Sequence, residues 1–359
     1  MFIMQKFNAE ILILARESRY ITQVELSTML GVEQGTISKI EKEILTADEK
    51  LIEKFSRALD FPISFFYQNR KVMAVEGHYR RKVSTPIKKM KQYAAQMTIA
   101  EWHFLKLMDE VELPETILPT WDVIEDGSPS ICAKHLRDFW KIPKGRVTNL
   151  TKLIEDNGVV IIPLDLGEIS GFSTYINGNI PVIYVNINLS PDRYRLTIAH
   201  ELGHIILHFG NKVSQDRNIE TEAYEFAIEL LVPEVNIRSY FTKISIDKLA
   251  DLKSYWYVSM QALLRYANTL GMVTQNQYKY LWIQMGSLGY RRKEPVSIPI
   301  EKPGLITEIV NAYVNDLGYS KEELAYILKM NVNELENIYF ASKGKLKILR
   351  GQTDRKSVV

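Results

Sequence analysis

The chain has 359 residues, a formal net charge of +2 and 46% hydrophobic residues, which is enough for two or three folded domains. This small net charge does not indicate a nucleic-acid or membrane partner by itself. No apolar run reaches the length of about 18 residues that a membrane span requires. A single cysteine, Cys132, excludes an internal disulfide framework. We therefore expect a cytoplasmic protein with no secretory leader and no membrane partner.

Residues 7–69 are predicted to form a compact all-α unit. Apolar periodicity indicates a first helix over 8–18, and Thr22 is placed to cap a second helix. Gly31 follows that helix and permits a tight turn before a third helix that starts at Glu33. Two short helices joined in this way indicate a helix-turn-helix.

The order Gln23-x-x-Leu26, then Gly31, then Gln34-x-x-Ile37 resembles the repressor-type helix-turn-helix of the XRE family. The resemblance implies that the helix from Glu33 enters the major groove of double-stranded DNA. The DNA contacts that it implies are Gln23, Gln34, Thr36, Ser38 and Lys39. Acidic residues offset the positive charge of this helix. We therefore expect a homodimer or further phosphate contacts to increase the affinity for DNA.

Residues 70–125 are predicted to be a basic helical connector. Between residues 70 and 91 a single acid, Glu76, accompanies the basic residues Arg70, Lys71, Arg80, Arg81, Lys82, Lys88, Lys89 and Lys91. They form either a solvated face or a set of phosphate contacts beside the helix-turn-helix.

A short motif, His200-Glu201-Leu202-Gly203-His204, lies in the apolar stretch LTIAHELGHIILH at 196–208. Histidines four residues apart lie on one face of an α-helix, so both imidazoles can reach one metal ion. Zinc accepts imidazole nitrogens and keeps a position open for water at catalytic sites. Glu201 can act on that water as a general base. The alternative is a core helix whose histidines are only hydrogen-bonded.

The stretch IETEAYEFAIELLVP at 219–233 has helical periodicity and offers a third ligand. Glu222 adjoins its apolar stripe and is the predicted ligand, with Glu220 and Glu225 as competitors. His208 lies one turn beyond His204 and either orients a ligand or packs in the core. The candidate donors for oxyanion stabilisation are Tyr175, Tyr184 and Tyr224, each of which could equally serve in packing.

Three short β-rich runs, at 158–164, 171–175 and 181–186, predict a small sheet beside the metal-binding helix. An exposed strand edge there could bind an extended peptide. Residues 241–359 read as a helical region, in which 258–267 suits either a helix-turn-helix or a packed bundle. Ser320 and Glu323 form a capping-box pattern. No internal repeat stands out.

Together these stretches resemble the ImmA/IrrE metallopeptidase family, in its long members that carry their own helix-turn-helix. The resemblance implies a zincin-like peptidase domain, placed here at 126–240. It also implies one Zn²⁺ per chain, with Mn²⁺ as the alternative ion. His200, His204 and Glu222 would be the ligands and Glu201 the base. Tyr224 stands where the family often has asparagine.

The predicted fold is α+β and mainly α: an all-α helix-turn-helix domain, a zincin-like domain with a small sheet, and a C-terminal helical region. The predicted function is a DNA-binding zinc metalloendopeptidase that cleaves a protein, expected to be a repressor-type regulator. The alternative is a helix-turn-helix regulator, including the toxin–antitoxin type, whose zincin domain senses or assembles with little turnover. Glu201 favours catalysis because a binding module does not need it.

Overall fold

The computed structural model describes residues 6–70, 86–209, 214 and 216–340. Helices dominate these ranges and are joined by one three-stranded sheet, which confirms the predicted α+β, mainly α fold. Lys71, Arg80, Arg81 and Lys82 of the predicted basic connector lie outside the described residues, as do residues 341–359.

The N-terminal domain, called the head below, consists of four helices and a closing 3₁₀ turn. Asn8, Thr22 and Asp48 cap three of the helices through their side chains. Gly31 ends the second helix in the left-handed region at φ +66°, where glycine carries no Cβ penalty. The elements are α1 (Ala9–Ser18), α2 (Gln23–Leu30), α3 (Gln34–Glu41), α4 (Glu49–Leu59) and the 3₁₀ turn Ile63–Tyr67.

A long helix, α5 (Ile87–Leu107), connects the head to the rest of the molecule. Ala95 and Trp102 on this helix pack into the core of the head. Met97 and Phe104 pack into a second core that lies under the sheet. The head is therefore joined to the following region by shared packing as well as by the chain.

The sheet has the strand order β1-β3-β2, with β1 (Val160–Leu164), β2 (Gly171–Ile176) and β3 (Ile180–Asn186). Strand β3 pairs parallel with β1 and antiparallel with β2. Ile183 and Val185 of β3 belong to one core and Val182 and Tyr184 to the other, as the alternation of side chains along a strand requires. The sheet therefore separates two hydrophobic cores.

The first core contains the helices that carry the motif residues. They are α6 (Pro129–Phe139), α7 (Leu150–Asp156), α8 (Pro191–His208), α9 (Ile219–Leu231), α10 (Glu234–Ile237), α11 (Ile246–Trp256), α12 (Met260–Thr269) and α13 (Gln275–Ser287). Helices α8 and α9 cross at Gly203, where a Cβ would lie 2.9 Å from Phe226 Cδ1. Only a residue without a side chain lets these helices approach so closely.

The second core lies on the opposite face of the sheet and includes the helices that end the described part of the chain. These are α14 (Leu305–Asn315), α15 (Lys321–Leu328) and α16 (Val332–Leu335), which continues into a π-helical turn, Glu336–Phe340. None of the helices in the described ranges is long and apolar enough to span a bilayer.

Candidate metal centre and nucleic-acid interface

Helix α8 places the two motif histidines on one face. Pro191 occupies its first turn, where its fixed φ favours helix initiation. Ile198, Leu202 and Ile205 bury the opposite side, while His200 and His204 are only partly buried. Their Nε2 atoms lie 3.1 Å apart, so the two imidazoles converge on one point as the motif spacing predicts.

The carboxylate beside this pair belongs to Glu220, in the first turn of α9. Its Oε2 lies 3.3 Å from His200 Nε2 and its Oε1 lies 3.6 Å from His204 Nε2. The three ligand atoms lie within 4.8 Å of one another. Ligands at 2.0–2.1 Å around a tetrahedral ion are about 3.3 Å apart. Two imidazoles and one carboxylate at this spacing therefore fit a zinc ion.

Glu222, the ligand predicted from the sequence, makes different contacts. Arg217 donates two hydrogen bonds to its carboxylate, at 2.6 and 3.0 Å. His208 Nε2 lies 2.9 Å from Glu222 Oε2. The hydrogen bonds from Arg217 hold the pKa of Glu222 below its usual range, although burial opposes them. The structure thus pairs Glu222 with His208 and Arg217.

Glu201 is turned toward the sheet. The residue is 8% exposed, and Ser173 Oγ on β2 donates to its Oε2 at 2.8 Å. Burial raises the pKa of Glu201, against the opposing effects of His200 and Ser173. Ser173 was not singled out in the sequence, although strand alternation places it on the same face as Gly171.

Gly171 lets strand β2 lie directly against α8. A Cβ at this position would be 2.7 Å from Thr197 Cγ2 and 3.1 Å from Glu201 Cγ. Any other residue would displace the helix or the Glu201 side chain. The glycine therefore positions both the strand edge and the carboxylate.

The three tyrosines that sequence analysis offered as oxyanion donors have different surroundings. Tyr184 is buried in the core on the far face of the sheet. Tyr224 packs with its ring 4.2 Å from the Arg265 guanidinium carbon. Tyr175 is on the α8-facing side of β2, with its ring 5.4 Å from that of Phe209, which follows His208. Of the three, Tyr175 alone shares the face of Ser173.

The predicted DNA-reading residues lie on one side of the head. Gln34 and Lys39 of α3 are exposed, and Thr36 and Ser38 are half-buried. Gln34 Nε2 donates to Gln23 Oε1 at 2.9 Å, and Gln23 Nε2 donates to Glu41 Oε2 at 2.7 Å. These bonds orient both amides before any DNA contact.

Comparison with protein families assigns two parts of the chain. Residues 12–66, from α1 to the 3₁₀ turn, match the family described as Helix-turn-helix. Residues 154–268, from α7 to α12, match the peptidase M78 family, described as IrrE N-terminal-like domain. No curated protein matches the chain. The chain therefore joins an N-terminal helix-turn-helix domain of the XRE type to an IrrE-like peptidase M78 domain.

Proposed function

We propose that the chain is a DNA-binding regulatory zinc metalloendopeptidase that cleaves a protein, specifically a repressor-type transcription regulator, in the cytoplasm. The observation that carries the proposal is the convergence of His200, His204 and Glu220 beside the buried Glu201, within a peptidase M78 domain. Binding alone does not require a carboxylate held next to the metal ligands, whereas hydrolysis does.

Bound zinc would supply Lewis-acid activation of a water molecule and of the scissile carbonyl. Glu201 accepts the proton of the attacking water. Because Ser173 engages Oε2, we assign this transfer to Oε1. Glu201 then returns the proton to the leaving amine nitrogen. A raised pKa suits a carboxylate that must both take and release a proton near neutral pH.

Strand β2 is the proposed site for the substrate backbone. It pairs with β3 along one side, and within the described residues no strand pairs with its other side. An extended peptide that adds to this edge would run beside Glu201. Tyr175 is the proposed hydroxyl donor to the scissile carbonyl, because of the three candidate tyrosines it alone shares the face of Ser173. Burial raises its pKa further, so its O–H is protonated at neutral pH.

The identity of the third ligand can be tested with two isosteric variants. We propose Glu220, from its distances to His200 and His204, with the sequence-based prediction, Glu222, as the alternative. Glu220→Gln should lower zinc stoichiometry and affinity, and Glu222→Gln should retain one zinc per chain. Zinc content after dialysis, measured by elemental analysis, decides between them. A metal-free Glu222→Gln beside a zinc-loaded Glu220→Gln would reverse the assignment.

Glu201→Gln tests the peptidase activity. The zinc-loaded chain is incubated with the repressor-type regulator encoded beside it, and intact mass spectrometry follows the products. The variant should keep its zinc and lose cleavage by about a thousandfold, within the range of general base and electrostatic effects. Undiminished cleavage by a zinc-loaded variant would exclude Glu201 as the base.

Gln34→Ala combined with Lys39→Ala tests the DNA interface. Gel shifts with the duplex upstream of the chain's own reading frame should show at least a tenfold loss of affinity. Lys50→Ala, an exposed lysine of α4, serves as the control for charge alone. Binding that survives the double substitution would overturn the recognition-helix assignment. If zinc removal shifts DNA affinity while no cleavage occurs, the peptidase domain acts as a sensor.

A further inference from the structure

The C-terminal helices repeat the helix-turn-helix pattern of the head. Helices α2 and α15 both have eight residues, and both begin with a reciprocal capping box, formed by Thr22 with Glu25 and by Ser320 with Glu323. The two caps are 298 positions apart. The buried positions also coincide, since Leu26, Ser27 and Leu30 correspond to Leu324, Ala325 and Leu328.

The turn that follows has the same backbone path at the same offset. Gly31 (φ +66°, ψ +39°) corresponds to Lys329 (φ +57°, ψ +42°), and both residues end their helix in the left-handed region. The hydrogen bond made by the residue after the turn is also the same in both units. Val32 N–H donates to Ser27 O, and Met330 N–H donates to Ala325 O, each at 3.0 Å. The glycine that marks the turn in the head is absent from the second copy, which conceals the repeat in the sequence.

The flanking helices complete the correspondence. Ile11 and Leu12 of α1 match Ile309 and Val310 of α14, and all four are buried. Ile37 of the recognition helix matches Leu335 of α16, which is also buried. Thus 305–340 carries the three-helix framework of a helix-turn-helix without an insertion or deletion over about 30 residues.

The second unit lacks the chemistry of a DNA-reading face. Its residues at the positions of Gln34, Thr36, Ser38 and Lys39 are, in that order, Val332, Glu334, Glu336 and Asn337. These four positions hold two carboxylates and no cation, so they would repel the phosphates of DNA. Glu336 instead pairs with Lys321 at 2.5 Å, and Lys321 stands at the position of Gln23.

The equivalent of the recognition helix faces the head. Both carboxylate oxygens of Glu334 accept hydrogen bonds from Arg19, at 2.8 and 3.0 Å. Asn331 Nδ2 donates to Asp60 Oδ1 at 2.6 Å. Arg19 and Asp60 follow α1 and α4, so these contacts leave Gln34 and Lys39 on α3 exposed.

We propose that residues 305–340 are a second helix-turn-helix unit that binds the head instead of DNA, through Glu334 and Asn331. Val310, Leu324 and Leu328 of this unit pack in the core beneath the sheet. The other face of the sheet packs against α8. The unit therefore fixes the head relative to the metal-bearing domain while the recognition helix stays open to DNA. The partner is the head of the same chain.

A charge reversal in the full-length chain tests the docking contact. Glu334→Arg should raise amide hydrogen exchange at least tenfold in peptides covering Arg19 and Asp60, because two cations would then face each other. Arg19 also donates to the Leu59 and Asp60 carbonyls, so Arg19→Glu alone could disturb the head. The double variant Arg19→Glu with Glu334→Arg should return exchange toward that of the wild type.

Glu322→Arg provides the matched control, since it makes the same charge change at an exposed position of α15. It should leave exchange around Arg19 unchanged. Recovery in the double variant would assign the effect to the contact between Arg19 and Glu334, and unaltered exchange in Glu334→Arg would overturn the docking role.

DNA binding tests the second half of the proposal. Glu336→Ala with Asn337→Ala should change affinity for the upstream duplex less than twofold, whereas Gln34→Ala with Lys39→Ala lowers it at least tenfold. A comparable loss from the pair on the second unit would show that this unit reads DNA. Exchange data and gel shifts do not depend on cleavage, so failure of the peptidase proposal would be distinguishable from failure of this one.

Discussion

His204 and His208 face each other through their Nδ1 atoms at 2.9 Å. If His204 directs Nε2 to the metal, its Nδ1 carries the proton and donates a hydrogen bond to His208 Nδ1. His208 then donates from Nε2 to Glu222 Oε2, and Arg217 holds that carboxylate. The chain of contacts fixes the tautomer and the ring orientation of His204, as outer partners of metal-ligating histidines do.

His208→Ala is therefore expected to weaken zinc binding about 10- to 100-fold without abolishing it. Competition with a chromophoric chelator measures the affinity. His135→Ala, which removes an exposed histidine from α6, should leave it unchanged. Equal affinity in the two variants would show that His208 only packs.

The choice of ligand residues illustrates what the sequence could and could not predict. His200 and His204 follow from helical geometry alone, because both lie on α8. Glu220 and Glu222 lie on a different helix, and the apolar stripe of α9 indicates which face is buried but not which carboxylate reaches the histidines. Arg217 and His208 contact Glu222. No sequence pattern reveals that these two side chains engage the Glu222 carboxylate.

Contacts between residues that are far apart in the sequence are the second feature that the sequence pattern does not predict. Short β-rich runs predict the strands, and the turn glycine and the glutamines predict the head. The hydrogen bond from Ser173 to Glu201 depends on how the sheet lies against α8, and the ion pair of Arg19 with Glu334 joins residues at opposite ends of the chain. The sequence does not reveal the repeat at 305–340, because Lys329 stands where the head has the glycine of the turn.

Gly203→Ala is expected to destabilise the peptidase domain. A Cβ would meet Phe226 Cδ1 at 2.9 Å and the Ala223 backbone at 3.3 Å, and overpacking of this kind costs about 1–3 kcal/mol. Urea unfolding measures the loss. Gly35→Ala on α3, where a Cβ meets nothing within 4 Å, should be neutral or stabilising. A neutral Gly203→Ala would mean that α8 and α9 can separate at little cost.

Glu155 should make the stability of the chain depend on pH. Its carboxylate accepts from the Gly304 and Leu305 amides at the start of α14, and burial raises its pKa to about 7. Because the folded chain binds this proton more tightly than the unfolded chain, its contribution favours folding at low pH. That contribution is lost as the pH rises from about 4.5 to about 7.

Glu155→Gln should remove this dependence, which amounts to at most about 3 kcal/mol. The measurement is the free energy of unfolding between pH 5 and 7.5, compared with wild type. Glu53→Gln, at a side chain that is 53% exposed, should keep the wild-type slope. An unchanged slope in Glu155→Gln would show that this carboxyl titrates as it does in water.

Lys253→Met should destabilise the fold strongly. Lys253 Nζ lies 2.5 Å from Asp192 Oδ2 on α8 and 2.7 Å from Glu294 Oε2, and all three side chains are at most 9% exposed. Without the cation, two buried carboxylates remain uncompensated, which costs about 3–5 kcal/mol. Urea unfolding measures this loss against Lys152→Met, whose side chain is 66% exposed and pairs with Asp156. That control should lose less than about 1 kcal/mol, and equal losses would show that water screens the Lys253 cluster.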